Sequence, residues 1–180
     1  MGIKGRRPND GKTGPIIPAP NPAKKENTQH RELCILAAKW LRRSKLRGPS
    51  CPYAAVELVT AAQESPDVFG WNYWATVLIE VKVSRSDFLA DAKKWFRQHP
   101  EEGVGAFRYY CSPEGLIKEN DLPESWGLLW DIGGEIKLIK EAERQLPSAQ
   151  AEIALLSSIM RREGVKAKLF DYRNTYKNGK

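Results

Sequence analysis

Nine residues constrain this chain more than any others: Ala75–Thr76–Val77–Leu78–Ile79–Glu80–Val81–Lys82–Val83. Side chains alternate across a strand, so odd and even positions face opposite ways. The odd set, Ala75, Val77, Ile79, Val81 and Val83, is wholly apolar. The even set ends in Glu80 and Lys82, an acid and a base on one face. Valine and isoleucine suit such a pleated surface, and the alternation predicts a strand with its odd face in a core. A carboxylate and an ammonium at the end of an apolar strand require compensation. Either they form an ion pair, or they belong to a metal site beside a phosphate.

Ser65–Pro66–Asp67 precedes this strand at hairpin distance and adds a second acid. Hard divalent cations such as magnesium take oxygen ligands. Asp67 and Glu80 supply two, and the Val81 carbonyl lies between Glu80 and Lys82. Such a metal lowers the pKa of its water. Lys82 then orients that nucleophile or neutralises charge building on a phosphoryl group.

Pro66–Asp67…Glu80–Val81–Lys82 resembles the PD-(D/E)XK motif of a nuclease superfamily. The next segment, Val83–Ser84–Arg85–Ser86–Asp87–Phe88–Leu89–Ala90–Asp91–Ala92–Lys93–Lys94–Trp95, is similar to the run that follows the lysine in the small bacterial MmcB-like DNA-repair group. The resemblance spans roughly residues 30–132. It implies an α/β fold, a mixed central β-sheet flanked by α-helices in the restriction-endonuclease-like manner. It also implies a Mg2+- or Mn2+-dependent deoxyribonuclease of DNA repair, recombination or phage DNA processing. Asp67, Glu80 and Lys82 would be catalytic. Asp67, Glu80 and Val81 would hold the metal, with Glu57 as an additional acid. DNA is the implied partner, and a homodimer one implied assembly. The rival reading keeps the fold but makes it a catalytically silent DNA-binding or accessory protein.

A chain of 180 residues is long enough for one domain with a real core. Its net charge of +7 is unevenly spread. Residues 1–48 carry twelve Lys/Arg against three Asp/Glu, and residues 161–180 seven against two, so the middle is acidic. Basic ends can track a phosphate backbone and an acidic centre can hold cations. Basic tails also serve simply as solubilising segments. Residues 1–27, rich in Gly, Pro, Lys and Asn, read as an extended or disordered arm. The domain is expected over 28–164, with a basic tail over 165–180. Gly11–Lys12–Thr13 lacks the preceding strand and spacing of a P-loop.

No apolar run approaches the ~20 residues a membrane span needs, and no secretory signal is evident. Cys34, Cys51 and Cys111 form no CxxC pair and read as reduced thiols of a cytoplasmic protein in a bacterial or phage-infected cell. His30 and His99 are too few and too separated to suggest a histidine metal site.

Around the motif, residues 28–45 read as a helix with Thr28 as N-cap. Residues 51–60 read as a strand carrying Glu57, either a metal ligand or a salt-bridged acid. Glu64 is the weaker candidate. Trp71, Tyr73 and Trp74 form a turn expected near the site, either packing across the sheet or stacking on bases. Ser84 to Gln98 reads as one helix with Ser84-X-X-Asp87 as a capping box and Phe88, Leu89, Ala92, Trp95 and Phe96 as its buried stripe. Asp87, Asp91 and Lys94 share its other face, either a solvated charge network or, as the resemblance implies, a rim of the site. Arg85 and Lys94 are the nucleic-acid-binding candidates, touching phosphate or pairing with Asp87 or Asp91. Further strands follow around residues 106–111, 126–131 and 135–140, and a last helix over 148–163.

Overall fold

Six strands form one mixed sheet in the order β1 (Tyr53–Val56), β2 (Val68–Trp71), β3 (Thr76–Val81), β4 (Phe107–Pro113), β5 (Gly127–Ile132) and β6 (Glu135–Lys140). The computed structural model describes residues 22–43, 49–58 and 64–165, with side chains from residue 27 onward. The basic tail and most of the N-terminal arm lie outside the described residues. β1–β2, β2–β3 and β5–β6 pair antiparallel, whereas β3–β4 and β4–β5 pair parallel. Parallel neighbours need long crossovers. The first contains α2 (Arg85–Asp91) and α3 (Trp95–Gln98). The expected class, a mixed α/β protein with a helix-flanked sheet, is the observed one.

Alternation in β3 sorts the core into two layers. Val77, Ile79 and Val81 join Val68, Tyr109, Cys111 and Leu129 beneath α1 (Pro22–Leu41), against Leu33, Cys34, Ala37, Trp40 and Leu41. Gly70 lets that helix close on the sheet, because a Cβ there would lie 2.7 Å from Leu41 Cδ1. On the opposite face Leu78, Phe69, Tyr110 and Leu128 pack with Phe88, Trp126, Ile117 and Leu155, the last from α4 (Ala149–Arg162). Both faces of β3 are therefore covered, and Glu80 and Lys82 are buried.

Three expected boundaries change. The first helix starts at Pro22, so Thr28 lies inside it rather than capping it, and the helix ends at Leu41. Proline suits a first helical turn because its missing N–H would be unpaired there anyway. The first strand is only Tyr53–Val56. The helix expected over 84–98 is broken. Ser84 does cap it, accepting the Asp87 N–H at 3.3 Å, but α2 stops at Asp91. Lys93 and Lys94 then turn back on Ala90 and Asp91 carbonyls, and Lys94 is extended (φ −65, ψ 146). Of the expected apolar stripe only Phe88 is buried, and Leu89 and Trp95 are about half exposed, at 53% and 51%. The break turns Asp91 and Arg97 inward instead.

Candidate functional site

Hairpin register closes the sequence gap between Asp67 and the Glu80–Lys82 pair. Val68 sits opposite Ile79, so the residue before β2 falls beside the end of β3. Asp67 Oδ2 accepts the Val81 N–H at 2.8 Å. Lys82 Nζ lies 3.0 Å from Glu80 Oε2, 3.3 Å from Asp91 Oδ1 and 3.7 Å from Asp67 Oδ2. The two motif carboxylates, joined by Asp91, thus converge on the Lys82 ammonium, at the carboxyl end of a strand whose neighbour β4 runs parallel.

The broken helix completes the cluster. Arg97 Nε donates to Asp91 Oδ2 at 2.7 Å, its Nη1 to Glu64 Oε1 at 2.7 Å, and its Nη2 lies 3.3 Å from Glu80 Oε2. The guanidinium stacks over Trp126, 4.7 Å from the ring centre. Tyr110 donates its hydroxyl to Asp91 Oδ2 at 2.7 Å, and the Val104 N–H donates to Glu64 Oε2 at 2.8 Å. Lys94 lies 2.6 Å from Asp91 Oδ1 and 3.7 Å from Glu80 Oε2 while keeping half its side chain in solvent.

Burial and charge act in opposition on these groups. Burial pushes the Glu80 carboxyl up, and Lys82 and Arg97 only partly oppose it. Burial also favours neutral Lys82, but Glu80, Asp67 and Asp91 outweigh it and hold the amine firmly as ammonium. Asp67 sits below the usual carboxylate range: burial raises it, but His30, the Lys82 charge and the Val81 N–H together lower it further. Asp91 is lowered too, with Arg97 and Lys82 overcoming burial. The site therefore contains fixed ammonium and guanidinium charge, and one carboxyl, that of Glu80, which burial pushes toward its neutral form.

The remaining candidates divide. Lys94 is in the site, as one arm of an ion pair. Arg85 is not: it forms a two-pronged pair with Asp121, at 2.6 Å on each prong. The expected partners Asp87 and Asp91 are thus replaced by a residue 36 positions away. Glu57 follows β1 in a left-handed backbone conformation (φ 50) and its carboxylate pairs with Arg31 at 2.6 Å. Its backbone N–H donates to the Asp67 carbonyl at 2.8 Å, and its carboxylate is joined to that of Asp67 through His30, whose Nε2 is 3.5 Å from Asp67 Oδ1 and whose Nδ1 is 3.8 Å from Glu57 Oε1. The Tyr73–Trp74 stack, exposed and 5.8 Å between ring centres, caps the far turn of the β2–β3 hairpin. Six extended residues from Asp67 is roughly 20 Å, so these aromatics do not border the cluster as expected.

The sequence reading leaves Arg97 and His30 out of the cluster and ranks Glu64 below Glu57, but it does offer the face of Asp87, Asp91 and Lys94 as a rim of the site. Asp91 did carry a signal, as the second acid of the Asp-Phe-X-X-Asp run. Arg97 carried none, because its place depends on a helix break that the sequence pattern concealed.

By architecture this is a mixed α/β protein with a buried charged cluster at the end of its central strands. No family model matches the chain, and no curated protein matches it. Among solved structures it is similar to the SPO1766 protein of unknown function from Silicibacter pomeroyi, at a TM-score of 0.53 and 21% identity, over 77% of this chain and 94% of that one. That likeness concerns the fold alone. Among the described residues, no helix is long and apolar enough to cross a membrane.

Proposed function

We propose that this protein is a Mg2+- or Mn2+-dependent deoxyribonuclease of the PD-(D/E)XK, restriction-endonuclease-like kind, acting in the cytoplasm on DNA in repair, recombination or phage DNA processing. The observation that carries the reading is the convergence of two carboxylates, one just before β2 and one in the antiparallel neighbour β3, on one ammonium, with Lys82 Nζ 3.0 Å from Glu80 and 3.7 Å from Asp67. The donor set fits a hard divalent cation: carboxylate oxygens of Asp67 and Glu80, both within 3.7 Å of one ammonium. Asp67 and Glu80 would hold the ion, and its chemistry there is to make a water nucleophilic near neutral pH.

The chain's own residues do the rest. Hydrolysis joins a water oxygen to phosphorus and releases one ester oxygen, which takes up a proton. Lys82 stays an ammonium, so its role is to donate to and stabilise the phosphoryl oxygens rather than to remove a proton. Asp91 and Glu80 hold that ammonium in place, and Tyr110 and Arg97 hold Asp91. Lys94, half in solvent, would meet an approaching phosphate. A homodimer would present two such sites to a duplex.

The test is cleavage of plasmid and single-stranded DNA with Mn2+ or Mg2+. Asp67→Asn and EDTA should each abolish it, and cleavage that survives either change in a clean preparation rejects the reading. One observation favours the rival, a silent DNA-binding or accessory protein: Glu80 Oε2 already has Lys82, Lys94 and Arg97 within 3.7 Å. DNA binding by the intact chain with no cleavage in either metal would establish that alternative.

A further inference from the structure

On the other side of Asp67 lies a second group of ligating atoms with different chemistry. His30 and Cys34 stand one helical turn apart on α1, so their side chains share a face. Glu57 approaches from the end of β1. His30 Nδ1 is 3.6 Å from Cys34 Sγ and 3.8 Å from Glu57 Oε1, and the three ligating atoms all lie within 4.8 Å of one another. Zinc–sulfur, zinc–nitrogen and zinc–oxygen bonds of about 2.3, 2.0 and 2.1 Å at tetrahedral angles separate their donors by roughly 3.3–3.6 Å. The observed spacings need only small side-chain rotations to reach that range.

From this geometry we infer that His30 Nδ1, Cys34 Sγ and Glu57 Oε1 form a binding site for a zinc-class divalent metal, separate from the Asp67–Glu80 pair. Two neighbouring contacts fit the assignment. Arg31 holds the other oxygen of Glu57 at 2.6 Å, which leaves Oε1 turned toward His30. Asp67 Oδ1 lies 3.5 Å from His30 Nε2, the ring nitrogen that a metal on Nδ1 leaves free. Metal-bound histidines generally give that second nitrogen to a carboxylate, which fixes the ring. A thiolate and an imidazole select zinc, cobalt or similar borderline metals over magnesium. Binding displaces two protons to solvent, one from the Cys34 thiol and one from Nδ1 of the His30 imidazolium, as the sulfur–metal and nitrogen–metal bonds form. Three protein donors leave a fourth position for water or another small donor. The imidazole would then tie this metal to Asp67 and so to the acidic cluster.

The experiment is a Co2+ titration of the full chain after chelator stripping, followed by absorbance. A near-ultraviolet thiolate-to-cobalt band should saturate at one Co2+ per chain. Excess Mg2+ should leave it in place, and Zn2+ should bleach it. Cys34→Ser should remove the band, whereas Cys51→Ser and Cys111→Ser should keep it. Glu57→Gln, at a partly exposed position, should preserve the circular dichroism of the folded chain and weaken Co2+ binding at least tenfold. No band from the folded chain, a band that survives Cys34→Ser, or a change under twofold in Glu57→Gln overturns the assignment. None of these readouts depends on DNA cleavage, so failure here and failure of the nuclease reading are separate events.

Discussion

Replacing Lys82 with methionine keeps most of the side-chain volume and removes the charge on which three carboxylates converge. Lys82 is 3% exposed, with carboxylate oxygens at 3.0, 3.3 and 3.7 Å. At an effective dielectric constant of about 20, each such contact is worth about 4–6 kcal/mol before desolvation is subtracted. Removing one partner of a buried ion pair costs about 3–5 kcal/mol net. Arg97 and Lys94 remain near Glu80, which places Lys82→Met near the lower end, about 3 kcal/mol at pH 8. With a urea dependence of about 2 kcal/mol per molar, the midpoint should fall by roughly 1.5 M. The cost should shrink toward pH 5. Without the ammonium the Glu80 carboxyl rises further, and a carboxyl raised by folding destabilises only above its unfolded pKa. The Glu80 share of the penalty is therefore absent well below pH 4.5 and grows with pH until the folded carboxyl ionises, while the share from Asp67 and Asp91, both held below the usual carboxylate range, persists at pH 5. Wild-type Lys82, raised in the folded state, keeps its full contribution at both pH values. Urea melts at pH 5 and pH 8 read both quantities. A loss under about 1 kcal/mol at pH 8, or one that grows as pH falls, refutes the view of Lys82 as the charge that holds this cluster together.

Asp67→Asn should abolish metal-dependent cleavage while leaving the urea midpoint far closer to wild type than Asp91→Asn does, because Asp91 anchors Arg97, Tyr110 and both lysines; equal losses of stability would contradict this division of roles. In the chelator-stripped chain, the contact with Asp67 raises His30 from 6.5 to about 10. Its stabilisation is complete below pH 6.5 and is lost as pH climbs toward 10; an imidazole proton signal that titrates near 6.5 by NMR would exclude the contact. Arg85→Ala should leave both cleavage and DNA affinity close to wild type, since Asp121 already occupies the guanidinium; a large loss of affinity in a gel-shift assay would return Arg85 to the DNA interface.

What could be read from the sequence was whatever depends on short-range periodicity. Alternation in Ala75–Val83 specified β3, its two faces, and the side from which Glu80 and Lys82 emerge. A two-residue side-chain period with hairpin pairing also sufficed to bring Asp67 beside Glu80. Composition could not reveal that the polar face of β3 is as buried as the apolar one, because that depends on α2, α3 and α4 covering it. The helix break after Asp91 was equally hidden. Ala90 to Gln98 contains no glycine or proline and reads as continuous helix. The gain from inserting Asp91 and Arg97 into the cluster is a tertiary effect that overrides local propensity. His30 reads as too isolated for a metal site for a related reason: a lone histidine is informative only once Cys34, Glu57 and Asp67 are known to surround it.

The charge balance of the cluster identifies the residue that should control metal entry. Four carboxylates, from Glu64, Asp67, Glu80 and Asp91, face Lys82, Lys94 and Arg97. Two of those cations are almost fully buried, while the Lys94 side chain is 49% exposed and alone can swing into solvent. A divalent ion shared by Asp67 and Glu80 must displace positive charge, and Lys94, 3.7 Å from Glu80 Oε2, is the group able to leave. Lys94→Gln should then tighten Mn2+ binding. A half-exposed charge at this range opposes the ion by roughly 1 kcal/mol, or about fivefold in Kd. The same substitution should weaken DNA binding in the presence of the metal, because the displaced ammonium is then free to contact phosphate. Calorimetry with Mn2+ and a gel-shift titration measure the two effects on one variant. Weaker Mn2+ binding by Lys94→Gln would mean that Lys94 supports the carboxylates instead of competing for them, and the ion pairs at Glu80 would then be the finished structure rather than a state that gives way to metal.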